Sequence, residues 1–158
     1  GSALVDYDRY FYPLDALLEW NRIYGRRGFV QYQCVLPKAA SAAGLVAIIG
    51  RIADARAGSF LSVLKLFGAG EGMLSFPMPG YTLALDFPAT QANFALLREL
   101  DAIVADHGGR IYLAKDALMT AALFRQSYPD LARFQALRRA VDPDGRFVSL
   151  QSRRLEIG

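Results

Sequence analysis

Two amides separated by one residue, Gln31 and Gln33, stand in an otherwise apolar string, GFVQYQCVL, from Gly28 to Leu36. In an extended strand successive side chains point to opposite faces, so Val30, Tyr32, Cys34 and Leu36 share one face and Phe29, Gln31, Gln33 and Val35 the other. An unpaired buried amide costs about 1–3 kcal/mol, so the glutamine face is expected to meet something polar, with water the simplest case. Two lysines join the amides as candidates. The chain has 15 arginines and only 3 lysines; Lys65 sits inside the apolar run FLSVLKLF and Lys115 directly follows RIYLA. Amides can orient a polar ligand without titrating, and ammonium groups can stabilise negative charge that develops on it.

Little else in the sequence could do chemistry. There is no glycine-rich phosphate loop between a strand and a helix, no HExxH and no Ser-His-Asp set. His107, the only histidine, falls at the end of a predicted helix, where a cation already has a structural use. The single cysteine, Cys34, excludes an internal disulfide and a cysteine-rich zinc site, and its apolar strand face suits an inert core thiol. No metal site is expected.

The elements that must position these residues are legible in the hydrophobic pattern. A chain of 158 residues that is 53% hydrophobic has enough apolar surface for one domain with a substantial core. No apolar run is long enough to cross a membrane and the start lacks the pattern of a secretory signal, so a cytoplasmic protein is expected. The net charge of +3 is spread along the chain, which argues against a nucleic-acid partner. After the aromatic run Tyr10 to Tyr12, Leu14, Leu17, Leu18 and Ile23 recur at helical spacing, so LDALLEWNRIYG is predicted as a helix. A long helix is predicted over residues 38–56, with Leu45, Ile48, Ile49 and Ile52 buried. Residues 60–67 form a second predicted strand, with Lys65 beside Leu61, Val63 and Phe67. Residues 68–80, rich in glycine and proline, form a long connection. YTLALDF, residues 81–87, is a third strand with a small polar face of Thr82, Ala84 and Asp86.

Thr90 is placed to cap a helix running to about Asp106, with Phe94, Leu97, Leu100, Ile103 and Val104 as its apolar stripe. RIYLA, residues 110–114, is a short fourth strand. Asp116 is a potential cap for a helix from 117 to 127, and another helix spans 130–141. The resulting order is strand, helix, strand, strand, helix, strand. That is an α+β, ferredoxin-like split βαβ antiparallel sheet, with helices on one face, extra terminal helices, and the other face left for something else. The predicted site is Gln31, Gln33, Thr82 and Lys65 on that open face, with Lys115 at its end. From pattern alone, a free-standing module that binds a small ligand or a partner fits as well as an enzyme.

The strings FYPLDALLEWNRIYG, GFVQYQCVLP, SVLKLFG, LSFPMPGYTLALDFP, GGRIYLAKD and VDPDGRFVSLQSRRLEI, in this order, resemble the C-terminal half of the decaprenylphosphoryl-β-D-ribose oxidase family. That family is similar to the wider vanillyl-alcohol-oxidase class of FAD-linked oxidoreductases. The resemblance implies that residues 1–158 are a C-terminal substrate or cap domain, a fragment whose partner is an N-terminal FAD-binding domain of the same protein. It implies oxidation of a sugar hydroxyl, in a polyprenylphosphoryl-pentose or related lipid-linked sugar, by hydride transfer to flavin. It would also allow membrane association through such a substrate. Gln31, Gln33 and Lys65 would line the substrate pocket, Lys115 would approach flavin and the reacting hydroxyl, and Tyr112 would lie near the flavin. The strand after the long connection departs from mycobacterial relatives, having Thr82 and Ala84 where they carry asparagine and cysteine. The isolated fragment is expected to be inactive and not to bind FAD tightly.

Overall fold

The computed structural model describes residues 1–13 and 15–157; Leu14, named above in the predicted first helix, and Gly158 lie outside the described residues. Strands β1 (Phe29–Pro37), β2 (Ser62–Phe67), β3 (Gly80–Pro88) and β4 (Arg110–Ile111) form one antiparallel sheet in the order β2-β3-β1-β4. Helices α2 (Ser41–Asp54) and α3 (Gln91–Asp106) are the two crossovers of the split βαβ unit. A short α1 (Tyr7–Phe11) precedes the sheet, and α4 (Ala121–Ser127), α5 (Leu131–Val141) and α6 (Leu150–Arg154) follow it.

The alternation in β1 and β3 decides which face the helices cover. Tyr32, Cys34 and Leu36 of β1 and Leu83, Leu85 and Phe87 of β3 are buried in one cluster with Ile48 of α2 and Leu96, Leu97, Leu100 and Val104 of α3. Phe124, Tyr128, Leu131 and Leu155 extend the same cluster through the terminal helices. Thr90 caps α3 by accepting a hydrogen bond from the Asn93 N–H at 3.2 Å. His107 ends the helix, its Nδ1 2.8 Å from the Ile103 carbonyl. Cys34 is fully buried and free, and burial pushes its thiol up to about 12.

Four predicted elements change. The helix predicted over LDALLEWNRIYG is replaced by turns and a 3₁₀ segment, Trp20–Arg27, interrupted at Gly25. Its apolar residues Leu17, Leu18 and Ile23 are exposed, so no buried face is present to reward an α-helix. In α2, Ile49 is 57% exposed although it was expected in the core; the buried side runs through Ser41, Gly44 and Ile48, with Leu45 and Ile52 half-buried. The fourth strand has only Arg110 and Ile111, because Leu113–Lys115 turns into a 3₁₀ segment. The helix expected from residue 117 starts at Ala121 under a Thr120 cap, while Asp116 caps the preceding turn by accepting from the N–H groups of Leu118 (3.0 Å) and Met119 (2.7 Å).

Gly80 is where the long connection re-enters the sheet. A Cβ built there would lie 1.9 Å from the Leu36 carbonyl oxygen, so only glycine permits the close approach of β3 to β1.

Candidate functional site on the helix-free sheet face

The pairings Gln31↔Asp86, Gln33↔Ala84 and Val35↔Thr82 between β1 and β3, with Val63↔Ala84 and Lys65↔Thr82 between β2 and β3, put these side chains on one face. It is the face opposite α2 and α3. Lys65 therefore shares it with both glutamines, as the alternation predicts. Two aromatic clusters bound the face. At one end Tyr24 stacks on Phe29 with ring centres 4.6 Å apart, and Trp20 and Phe60 pack around them. At the other, Phe76 from the long connection stacks on Tyr112 at 4.6 Å and meets Phe67 edge-on at 5.9 Å. The Arg110 guanidinium holds that connection by donating to the Ser75 carbonyl at 2.7 Å.

Between the clusters the amide nitrogens are anchored inward. Gln31 Nε2 donates to Asp86 Oδ1 at 3.0 Å, and the Tyr24 hydroxyl donates to Asp86 Oδ2 at 3.3 Å. Burial, and then the Asp86 charge, raise the Tyr24 hydroxyl above its ordinary range. Gln33 Nε2 donates to Thr82 Oγ1 at 3.0 Å, and Thr82 Oγ1 donates in turn to the Cys34 carbonyl at 2.8 Å. Each glutamine is thus locked by its nitrogen. Their carbonyl oxygens make no hydrogen bond among the described residues and remain able to accept one.

The polar face predicted as open is only partly so. Thr82 is 1% and Asp86 3% exposed, because each is roofed and hydrogen-bonded from above. Sequence reasoning put Asp86 on the right face but missed its role as the anchor of Gln31, and missed Tyr24 altogether. These partners are 55 and 62 residues from Asp86 along the chain, so no local pattern could have revealed them.

Lys65 is exposed and Lys115 half-buried, and neither forms an ion pair among the described residues. For Lys115 the obvious partner is already taken. The Asp116 side chain is 1% exposed, and its Oδ2 receives Arg154 of α6 at 2.7 Å and Gln151 at 3.2 Å. Tyr112 and Lys115 flank the turn that follows β4, and the Tyr112 N–H donates to the Gln33 carbonyl at 2.9 Å. The turn thereby ties both residues to the glutamine strand. Among the described residues no group of three His, Cys, Asp or Glu could hold a metal ion, and no helix is long and apolar enough to cross a membrane.

Residues 85–155 match the D-arabinono-1,4-lactone oxidase family. The chain is 44% identical over 150 residues to decaprenylphosphoryl-β-D-ribose oxidase of Mycolicibacterium smegmatis, an alignment covering 94% of this chain and 32% of that protein. The resemblance to these oxidases is borne out. It is also 39% identical over 142 residues to a protein of Streptomyces coelicolor known by its position in the mprA 5′ region, covering 88% of this chain and 38% of the relative. The chain thus spans about a third of the length of the curated relatives it matches. The similarity embraces β1, the long connection and the Tyr112–Lys115 turn, so the elements that carry the candidate site lie within the related region.

Proposed function

We propose that this chain is the substrate-binding domain of an FAD-dependent oxidoreductase that oxidises a sugar hydroxyl by hydride transfer to flavin. The sugar is a polyprenylphosphoryl-pentose or a related lipid-linked sugar, and the FAD-binding domain belongs to the same protein outside residues 1–158. The observation that carries the reading is the sheet face itself. Two glutamines with inward-anchored nitrogens and free carbonyl oxygens stand with two lysines that no carboxylate neutralises among the described residues. Amide oxygens accept hydrogen bonds from sugar hydroxyls, and lysines favour the negative charge that a hydride acceptor gains.

The residues present fit one side of a flavin site. Lys115 and Tyr112 would border the ring system, which when bound supplies the two-electron acceptor. Gln31, Gln33 and Lys65 hold the sugar. Thr82, whose hydroxyl is spent on Gln33 and the Cys34 carbonyl, acts through Gln33 as a positioning residue. The exposed Tyr10, Phe11, Tyr12, Leu17, Leu18 and Ile23 are the kind of apolar surface that contact with a further domain would bury.

The test is made in the full-length protein. Lys115→Ala is expected to slow substrate-driven flavin reduction by roughly 10²-fold, the scale of losing one preorganised electrostatic donor, with little change in thermal stability. A rate within about threefold of the parent, less than about 1 kcal/mol of barrier, overturns the role given to Lys115.

A further inference from the structure

The sheet edge beside the two glutamines is not closed. β4 leaves β1 at the Gln33 carbonyl, and next to Gln31 a cavity of about 10 Å³ opens, with room for about one water molecule. Gln31 and Lys115 line it together with Tyr32 and Asp101, which belong to the helix-covered layer. Tyr32 is 3% exposed, and its hydroxyl makes no hydrogen bond with the protein. Such a group is costly to bury unless water completes it. Asp101, 8% exposed, also lines a second hollow of about 270 Å³ between α3 and α4, with Arg98, Thr120 and Gln126. Its carboxyl therefore stands between the small cavity and the surface.

Asp101 is faced by Tyr32 from β1, Asp116 from the turn before α4, Arg154 from α6 and Arg98 from its own helix, with Cys34 near Tyr32 and Lys115 on the cavity wall. Burial dominates, and the Asp116 charge adds to it. Against the pull of the Tyr32 hydroxyl and the two arginines, they bring the Asp101 carboxyl up to about 7.

Oxidising a C–OH group by hydride transfer leaves a proton that must go elsewhere. On the open face the amides carry no titrating proton, and both oxygens of the Asp86 carboxylate are already taken by Gln31 and Tyr24. We propose that Tyr32, a water in the small cavity and Asp101 form the exit for that proton, an inference that rests on the sugar-oxidase reading above. The C–H bond breaks as hydride transfers to the oxidised flavin, and the C=O bond forms. The hydroxyl proton passes to the cavity water, and the water, held in place by the Tyr32 hydroxyl, gives one of its own to the Asp101 carboxylate. Asp101 then releases the proton to the hollow between α3 and α4. Asp101 touches neither substrate nor flavin and works through that water, which Tyr32 positions.

Two measurements test this separately from the function. In the 158-residue chain, the Asp101 carboxyl followed by carbon NMR is expected to titrate near neutrality, and Tyr32→Phe to move its midpoint upward. A midpoint below about 5, or no response to Tyr32→Phe, overturns the coupling. In the full-length protein, flavin reduction is expected to rise with pH through an acid limb near 7, because the carboxylate is the accepting form. Asp101→Asn and Tyr32→Phe should each slow reduction at pH 8 by tenfold or more, and Asp101→Asn should erase the limb, whereas Asp101→Glu restores it. Reduction by sugar that keeps the parent's limb in Asp101→Asn overturns the relay alone. A parent that binds no flavin, or that no sugar reduces, overturns the function and the relay with it.

Discussion

Replacing Ala84 with cysteine places a thiol in the middle of the proposed site and leaves Cys34, on the opposite sheet face, as an internal reference. Ala84 is half-buried beside Gln33 and Val63 on the helix-free side. Cys34 is fully buried, with its thiol pushed up to about 12. At pH 8 the thiolate fraction of Cys34 is then on the order of 10⁻⁴, against about a quarter for an ordinary cysteine near 8.5, so ionisation alone separates the two by roughly 10³-fold. Burial widens the gap, because Cys34 is reached only when the sheet opens. Native Ala84→Cys protein treated with a maleimide and digested for mass spectrometry should label at position 84 and leave the Cys34 peptide unmodified. Both should label in denaturant. Labelling of Cys34 at a comparable native rate would mean that the faces are exchanged, as a one-residue slip would do. An inert thiol at position 84 would mean that the face is closed.

Asp101 makes stability pH-dependent. Its folded value of about 7 exceeds the unfolded value of about 3.9, so the folded state holds its proton longer and stability falls as pH rises through that window. Relative to the parent, Asp101→Asn should gain roughly 2–3 kcal/mol between pH 5 and 8 in urea unfolding, at about 1.4 kcal/mol per unit; parallel pH profiles would refute this. Arg154→Met should cost about 1–3 kcal/mol by leaving the buried Asp116 carboxylate short of its charged partner, and unfolding midpoints within a few tenths of a kcal/mol of the parent would contradict it. Flavin fluorescence titration of the 158-residue chain should show no saturable submicromolar binding, since that corresponds to about −8 kcal/mol and the chain offers only one side of a pocket; tight binding would place the whole cofactor site within these residues.

The sheet and its two faces could be read from the sequence because period-two alternation is a local property. The residues of GFVQYQCVL and YTLALDF needed no knowledge of their neighbours to separate into a greasy and a polar row, and the Thr90 cap and the strand–helix order followed from similarly local chemistry. Predictions failed where the outcome depended on what an element packs against. LDALLEWNRIYG has helical spacing but exposes Leu17, Leu18 and Ile23, and Ile49 fits the α2 stripe but points away from the core. The site was partly legible for the same reason. Gln31, Gln33 and Lys65 share a face by alternation and register, whereas the anchoring of Gln31 by Asp86, itself held by Tyr24, the bonding of Thr82 to Gln33, and the capture of Asp116 by Arg154 that leaves Lys115 free of it join residues 38 to 62 positions apart. Residue types and their alternation determined which side chains could meet a ligand. Only the tertiary structure decided which polar atoms were spent on one another and which remained free, because the partner of a buried polar group is chosen by chain packing over distances that no sequence period encodes.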